Sequence, residues 1–274
     1  MRSSLVGSEM CIRDSLTPAA TVLVLRDSKE GIEVLMVKRS KKSPFGNLYV
    51  FPGGKIDEDD LQKEWKSYCD GYNDSIASEI LGLNESGLSY WIACIRESFE
   101  EVGILLAKRK SGEKLDLEGK DKNKFDKYRI DLINHEISFL EICKREELIL
   151  TAKNIAPLSH WITPDFEIKR FDTRFFIAYL PENQIVQHDG MELTHSLWIN
   201  PNNALKKAME GDMQMILPTT ENLKLCSNFT SAREMLENQK NLTKNDIKPI
   251  LPKFYKENGT WNVLYPGDEG YEDH

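Results

Sequence analysis

The stretch that decides the fold covers residues 96–104 and reads RESFEEVGI, downstream of an FPGG segment at residues 51–54. Apolar residues around it recur at intervals of three and four, which predicts a helix with one buried stripe. On such a helix Glu97 lies one turn from Glu100 and Glu101, so three carboxylates project to one side. A hard divalent cation that works on phosphates would cancel their repulsion. The alternative interpretation is a solvated acidic helix face.

The residues beside these glutamates also fit a metal site. Arg96 can hold a carboxylate through a bidentate pair of hydrogen bonds, and Gly103 allows the chain to leave the helix. Upstream, the backbone at Gly53 and Gly54 carries no side chain, so a metal ion and a phosphate group could approach it closely. These two glycines are therefore predicted to bind substrate.

In this order the residues resemble the box of the Nudix hydrolases, Gly-x5-Glu-x7-Arg-Glu-U-x-Glu-Glu-x-Gly-U, where U is apolar. Residues 96–104 match the second half of the box, except that Ser98 stands at an apolar position. In the first half the glutamate position falls on Asp60, and an insertion at residues 61–88 interrupts the usual spacing. The glycines, asparagines and serines of this insertion predict a turn-rich excursion.

Within the Nudix family, the interrupted box resembles that of the coenzyme A diphosphatase-like proteins. These carry FPGGxxDxxD, a long insert and then RExFEExG, and here Asp57 and Asp60 supply the two aspartates. The resemblance covers roughly residues 17–235. It implies an α/β Nudix fold in which a mixed β-sheet is sandwiched between helices and the box forms a loop, a helix and a loop.

The resemblance also implies roles for individual residues. Glu97, Glu100 and Glu101 would bind Mg²⁺, or Mn²⁺, which neutralises a diphosphate and activates a water molecule. Glu100 and Glu101 would be catalytic in this sense. Arg96 would support catalysis by orienting one of the glutamates.

Two further candidates lie outside the box. Glu192 precedes Trp198 by about the offset at which several Nudix enzymes carry an acidic metal ligand or base. Solvent exposure is the alternative for Glu192, and three other carboxylates compete for the role: Asp165, Glu167 and Asp172. Arg39 follows a predicted strand and resembles part of a segment associated with coenzyme A recognition, although the histidine of that segment is missing.

The implied reaction is Mg²⁺-dependent hydrolysis of a diphosphate linkage in a nucleoside diphosphate derivative. The resemblance favours coenzyme A or an acyl-CoA, which would give phosphopantetheine and adenosine 3′,5′-bisphosphate. One alternative is an ADP-ribose or dinucleotide pyrophosphatase. Another is a Nudix nucleotide-binding module with little catalytic activity, because Asp60 and Ser98 depart from the box.

Composition limits the choice of partners and compartment. A net charge of −8 argues against a general nucleic-acid binder, and no apolar run approaches the length of a membrane span. The cysteines form no CxxC pair, which favours reduced thiols in a cytoplasm.

The chain divides into three predicted parts. Residues 1–15 resemble a translated sequencing adapter and are expected to be disordered. Residues 16–240 would form the Nudix domain, with a helical insertion at residues 113–150 that serves either as a packing lid or as the surface of a homodimer. Residues 241–274 would form a C-terminal extension.

Overall fold

The computed structural model describes residues 16–41, 46–187 and 193–273. The predicted adapter segment, residues 1–15, and the candidate Glu192 both lie outside these residues.

The described residues form a mixed α/β structure. Its strands are β1 (Thr17–Ser28), β2 (Gly31–Arg39), β3 (Tyr49–Val50), β4 (Gly53–Lys55), β5 (Ala107–Arg109), β6 (Leu148–Leu150), β7 (Ile155–Ile162), β8 (Phe171–Tyr179), β9 (Leu193–Ile199), β10 (Pro249–Ile250), β11 (Lys253–Glu257) and β12 (Thr260–Leu264). Its α-helices are α1 (Asp74–Leu81), α2 (Leu88–Val102), α3 (Lys122–Ile133), α4 (Phe139–Arg145), α5 (Pro201–Met209), α6 (Leu217–Ser227) and α7 (Ala232–Lys240).

The central sheet is buried on both faces because its strands are apolar at successive positions. In β1, Val22 and Val24 pack into the core under helices α1 to α4, whereas Leu23 and Leu25 pack into the core under α5 to α7. This alternation follows from the two-residue period of a strand. The predicted α/β fold, with a mixed sheet between helices, is confirmed.

Strand β1 organises the sheet. On one side it pairs in parallel with β8 along most of its length. On the other side it pairs antiparallel with β2 near its end and with β4 near its start. Strand β2 pairs antiparallel with β3 and β9, so β1 and β2 diverge from their hairpin and β3 and β4 fill the gap.

Helix α2 carries the decisive stretch and has the predicted buried stripe. Four apolar residues spaced along it are at most 1% exposed: Ile92, Ile95, Phe99 and Val102. The helix ends where predicted, because Gly103 adopts a left-handed conformation with φ 72° and its N–H donates to Phe99 O.

Gly53 and Gly54 do not lie in a loop, as the box implied, but in strand β4. Their Cα atoms pair with Thr21 and Ala20 of β1. A Cβ on Gly53 would come within 2.5 Å of Ala20 O and 2.6 Å of Thr21 Cα. Glycine is therefore needed for the close approach of the two strands, which the local sequence could not show.

The insertion at residues 61–88 is more regular than the predicted turn-rich excursion. It contains helix α1, which begins where the side chain of Asn73 accepts a hydrogen bond from Ile76 N and ends at left-handed Gly82. Some of the polar residues thus serve as helix caps, whereas the residues on either side of the helix form turns and a short 3₁₀ helix, as predicted. The same insertion also buries Trp65, which is 1% exposed.

The insertion at residues 113–150 contains the two helices α3 and α4, but it ends in a strand. Strand β6 pairs antiparallel with β5, and Leu148 and Leu150 are fully buried on the same face of it. Beyond α7, β10 joins the edge of the central sheet beside β7, and β11 and β12 form a separate hairpin. None of the described helices combines the length and apolar character needed to cross a membrane.

Candidate active site

Arg96 forms the centre of a buried ionic network on helix α2. Its Nε and Nη2 atoms donate to the two carboxylate oxygens of Asp60 at 3.0 and 2.9 Å. Nη1 donates to Glu97 Oε1 at 2.9 Å and to Glu100 Oε2 at 3.1 Å, and Nη2 also donates to Lys55 O at 3.0 Å. These contacts account for all five N–H groups of a guanidinium. Asp60, at the interrupted box's glutamate position, thus receives the bidentate pair.

The glutamates of α2 face a cavity of about 490 Å³. Its other wall is the end of α3, the turn after it and the start of α4. The lining residues carry six carboxylates and one guanidinium: Asp57, Asp59, Glu97, Glu100, Glu101, Glu136 and Arg96. The insertion at residues 113–150 therefore forms the wall of the cavity that lies opposite the glutamates of α2.

The two glycines of β4 fix the positions of two glutamates. Glu101 Oε2 accepts a hydrogen bond from Gly53 N at 2.9 Å. Gly54 lies against Glu97, where an added Cβ would come within 2.5 Å of Glu97 Cδ. The glycine pair thus serves the site by letting carboxylates of α2 pack against the backbone of β4.

Burial and crowding raise the pKa values of these carboxyl groups. Burial raises the pKa of Glu97 to about 7, with Glu100 adding to the effect and Arg96 opposing it. Burial likewise raises the pKa of Glu100 to about 6, against the attraction of Arg96. Burial also raises the pKa of Asp60, despite its hydrogen bonds with Arg96. One guanidinium is too little positive charge for this many buried carboxylates.

The donor set fits a hard divalent cation, because it consists of oxygen ligands that carry excess negative charge. Among the described residues, no three acidic, imidazole or thiol side chains already lie close enough to form a metal-binding group. In the observed arrangement Arg96 Nη1 bridges Glu97 and Glu100. Arg96 thus engages one oxygen of each carboxylate, and a metal ion would be held through the other oxygens of Glu97 and Glu100 after a shift that brings the acidic side chains closer together.

The other predicted candidates that lie within the described residues are not part of this cavity. Arg39 ends β2 and does not line the space in front of the glutamates. Asp165 and Glu167 are exposed in the turn between β7 and β8. Asp172 is held by His160 Nε2, 2.6 Å from its Oδ1 atom, which makes it a poor substitute for Glu192.

Sequence analysis missed three cavity residues that carry ionisable side chains. Asp59 lies in the short 3₁₀ turn Glu58–Leu61, whereas His135 and Glu136 lie between α3 and α4. No local pattern marks the last two, because only the packing of the insertion against α2 brings them to the glutamates. Asp59 could have been suspected because it lies between Asp57 and Asp60, the two aspartates of the FPGGxxDxxD pattern.

Comparison with known proteins agrees with this geometry. The family model described as NUDT19 Nudix domain matches residues 82–224, and the model described as NUDIX domain matches residues 15–144. The chain is 27% identical to acyl-coenzyme A diphosphatase NUDT19 of Xenopus laevis over 88% of its own length and 72% of that protein. It is 26% identical to putative nudix hydrolase 7 of Caenorhabditis elegans, over 96% of its length and 78% of that protein.

A solved structure supports the fold. The NUDIX hydrolase from Alicyclobacillus acidocaldarius superposes with a TM-score of 0.68 at 24% identity, covering 84% of this chain and 97% of that one. The matched models include helix α2 and its glutamates, and one of them spans more than half of the chain. The chain therefore belongs to the Nudix family, within the group that the NUDT19 Nudix domain model describes, and it is a Nudix hydrolase.

Proposed function

We propose that the protein hydrolyses the diphosphate linkage of coenzyme A or an acyl-CoA, with Mg²⁺ or Mn²⁺ as its cofactor. The observation that carries the proposal is the crowding of carboxylates around Arg96 at a cavity, with the pKa of Glu97 raised to about 7. Such a surplus of negative charge favours a divalent cation, and a cation in turn favours a diphosphate substrate.

The residues of helix α2 would share the work. Glu97, Glu100 and Glu101 would hold the metal ion, which when bound supplies charge neutralisation of the diphosphate and activation of water. Arg96 would keep Glu97 and Glu100 in place through the two hydrogen bonds from its Nη1 atom. Gly53 and Gly54 would position the glutamates that they contact, Glu101 and Glu97. Their backbone would also let phosphate oxygens of the substrate approach β4.

In this reaction a water oxygen forms a bond to one phosphorus atom, and the bond from that phosphorus to the bridging oxygen breaks. Coenzyme A and water then give phosphopantetheine and adenosine 3′,5′-bisphosphate. We propose Glu192 as the residue that takes the water proton, and Arg39 as a contact for the substrate. Asp172 is a weaker candidate for this role than Glu192, because it is already engaged by the hydrogen bond with His160 Nε2.

The choice of coenzyme A rests on the relatives named acyl-coenzyme A diphosphatase, of which the Xenopus laevis protein is 27% identical and the human protein 22% identical. ADP-ribose and dinucleotides are alternative substrates, because the glutamates would recognise only the metal–diphosphate unit. We also propose a cytoplasmic location, which suits the free thiols of the described cysteines.

The deciding experiment is an assay with Mg²⁺ or Mn²⁺ on coenzyme A, a short acyl-CoA, ADP-ribose, NADH and dinucleoside polyphosphates. We expect the highest kcat/KM on coenzyme A or its acyl ester, and loss of turnover with a chelator. A higher kcat/KM on ADP-ribose or a dinucleotide would make that compound the substrate in place of coenzyme A. Tight binding of all these compounds without turnover would instead favour a nucleotide-binding module.

A further inference from the structure

Among the described residues, those that line the cavity in front of the glutamates include few groups that can bind a phosphate directly. Arg96 is the guanidinium among the lining residues, and its N–H groups are all donated to Asp60, Glu97, Glu100 and Lys55 O. An ionised carboxylate accepts hydrogen bonds but cannot donate one. A substrate diphosphate at this wall would therefore meet acceptors on α2 and would need a donor from elsewhere.

The turn between α3 and α4 supplies such a donor. His135 and Ser138 are the lining side chains that keep a donor hydrogen, and the hydroxyl of Ser138 also accepts a hydrogen bond from Glu141 N to begin α4. An imidazole always has at least one N–H and can carry a positive charge. His135 is thus the lining side chain best suited to an anion.

The position of His135 is fixed by the core rather than by a loose loop. Its backbone is left-handed, with φ 59°, and its N–H donates to Leu132 O at 2.9 Å. Leu132 and Phe139, which flank the turn, are 5% and 1% exposed and belong to the core that also contains α2. A non-glycine residue in this conformation needs support from its surroundings, and such strain concentrates at functional sites.

We infer that His135 is a substrate contact that the inserted helices add to the site, and that its imidazole N–H donates to a phosphate oxygen. The inference rests on the proposed function, since it assumes a diphosphate at the glutamates. It gives the insertion at residues 113–150 a role in recognition, in addition to its packing against α2.

The test uses variants that suit the left-handed backbone. His135→Gly removes the imidazole and relieves the strain, whereas His135→Asn and His135→Gln place an amide N–H near the positions of Nδ1 and Nε2. The matched control is His195→Ala, because His195 is exposed on β9 and does not line the cavity.

Binding of methylenediphosphonate with Mg²⁺, followed by calorimetry, reports the contact without hydrolysis. We expect His135→Gly to weaken this binding by roughly tenfold, the usual effect of losing a hydrogen bond to a charged group. KM should rise by a similar factor while kcat stays unchanged. At least one of the amide variants should recover much of the binding, and His195→Ala should behave as the wild type.

Wild-type binding by His135→Gly, or failure of both amide variants to improve on it, would overturn the inference. The proposed function fails separately: a wild-type protein that turns over no diphosphate would refute it, and the calorimetric comparison would still decide whether His135 contacts a phosphate.

Discussion

Two buried arginines show how differently the same side chain can be used in this fold. Arg96 is 5% exposed, donates hydrogen bonds to the carboxylates of Asp60, Glu97 and Glu100, and lies 3.4 Å from a fourth, that of Asp57. Arg174 is 6% exposed, lies 3.5 Å from Asp172 Oδ1, and shares that one carboxylate with His160. The first cluster has excess negative charge, whereas the second does not.

The pKa values move in opposite directions as a result. At Arg96, burial outweighs the single guanidinium and raises the pKa of Glu97 to about 7. At Arg174, burial also favours the neutral acid, but the interactions with His160 and Arg174 outweigh it and hold the pKa of Asp172 below its usual value. The unbalanced carboxylates have the perturbed pKa values typical of a functional site and support the proposed cation, whereas the balanced cluster has the features of a structural ion pair.

The strongest test of this contrast removes charge from the unbalanced cluster. Glu100→Gln and Glu101→Gln should each keep the fold, because the amide keeps the volume and an oxygen that still accepts hydrogen bonds. Each should lower kcat with Mg²⁺ by on the order of a hundredfold or more, because the metal loses a charged ligand.

Glu141→Gln is the matched control, since Glu141 is on α4, 43% exposed, and forms an ion pair with Arg145 in the next turn. Its kcat should equal that of the wild type. Wild-type rates in both Glu100→Gln and Glu101→Gln would show that the unbalanced cluster is not the catalytic site.

A smaller effect should follow from moving a glutamate without changing its charge. In Gly54→Ala the new Cβ would come within 2.5 Å of Glu97 Cδ, so the carboxylate must shift. The φ of Gly54 is outside the left-handed range, so alanine adds no backbone strain there. We expect kcat to fall about tenfold, less than the roughly hundredfold cost of displacing a catalytic group by 1 Å, with little change in the urea midpoint.

The neighbouring glycine gives the opposite pattern. In Gly53→Ala the Cβ meets the backbone of β1 rather than a flexible side chain. This variant should therefore lose stability first. Equal stability losses in both variants would mean that Gly54 supports the strand and not the position of Glu97.

Much of this site was predictable because it is local. The spacing of Glu97, Glu100 and Glu101 on one helix needs only the helical period. Counting along the box also placed its glutamate position at Asp60 despite the insertion, although the bidentate pair of Asp60 with Arg96 was not predicted.

What the sequence could not provide depends on contacts between distant segments. His135 is brought to α2 by the packing of Phe125 and Phe139 against Phe99, with ring centroids 6.3 and 6.4 Å apart. The contacts of Asp172 with His160 and Arg174 likewise depend on the antiparallel register of β7 and β8. This register places Asp172 opposite Ile162 and His160 opposite Arg174. Neither contact leaves a periodic signal in the sequence.

The two clusters should also respond oppositely to pH when divalent metal is absent. The pKa of Glu97 is about 7 and that of Glu100 about 6, both above the usual 4.5. Between about pH 4.5 and 7 the folded protein therefore binds more protons than the unfolded chain, and the free energy of unfolding falls as pH rises. Asp172 acts in the other sense, stabilising the fold above its unfolded pKa and losing this contribution on acidification.

Urea unfolding of the wild type and of Glu97→Gln, in EDTA at pH 5 and pH 8, separates these effects. The free energy of unfolding of Glu97→Gln, minus that of the wild type, should increase from pH 5 to pH 8. Added Mg²⁺ should oppose the wild-type loss at pH 8. A difference that does not change with pH would mean that Glu97 ionises normally in the folded protein.

The smallest effect on turnover is expected at the balanced cluster. Asp172→Asn keeps the volume of the side chain but removes the charge that His160 and Arg174 share, at a position whose side chain is 25% exposed. The free energy of unfolding should fall by about 1–3 kcal/mol, the range for a lost hydrogen bond to a charged group. The kcat and KM of the folded enzyme should stay at wild-type values, because Asp172 does not line the cavity. A large drop in kcat at unchanged stability would make Asp172 part of the catalytic machinery and would remove the distinction between the two arginine clusters.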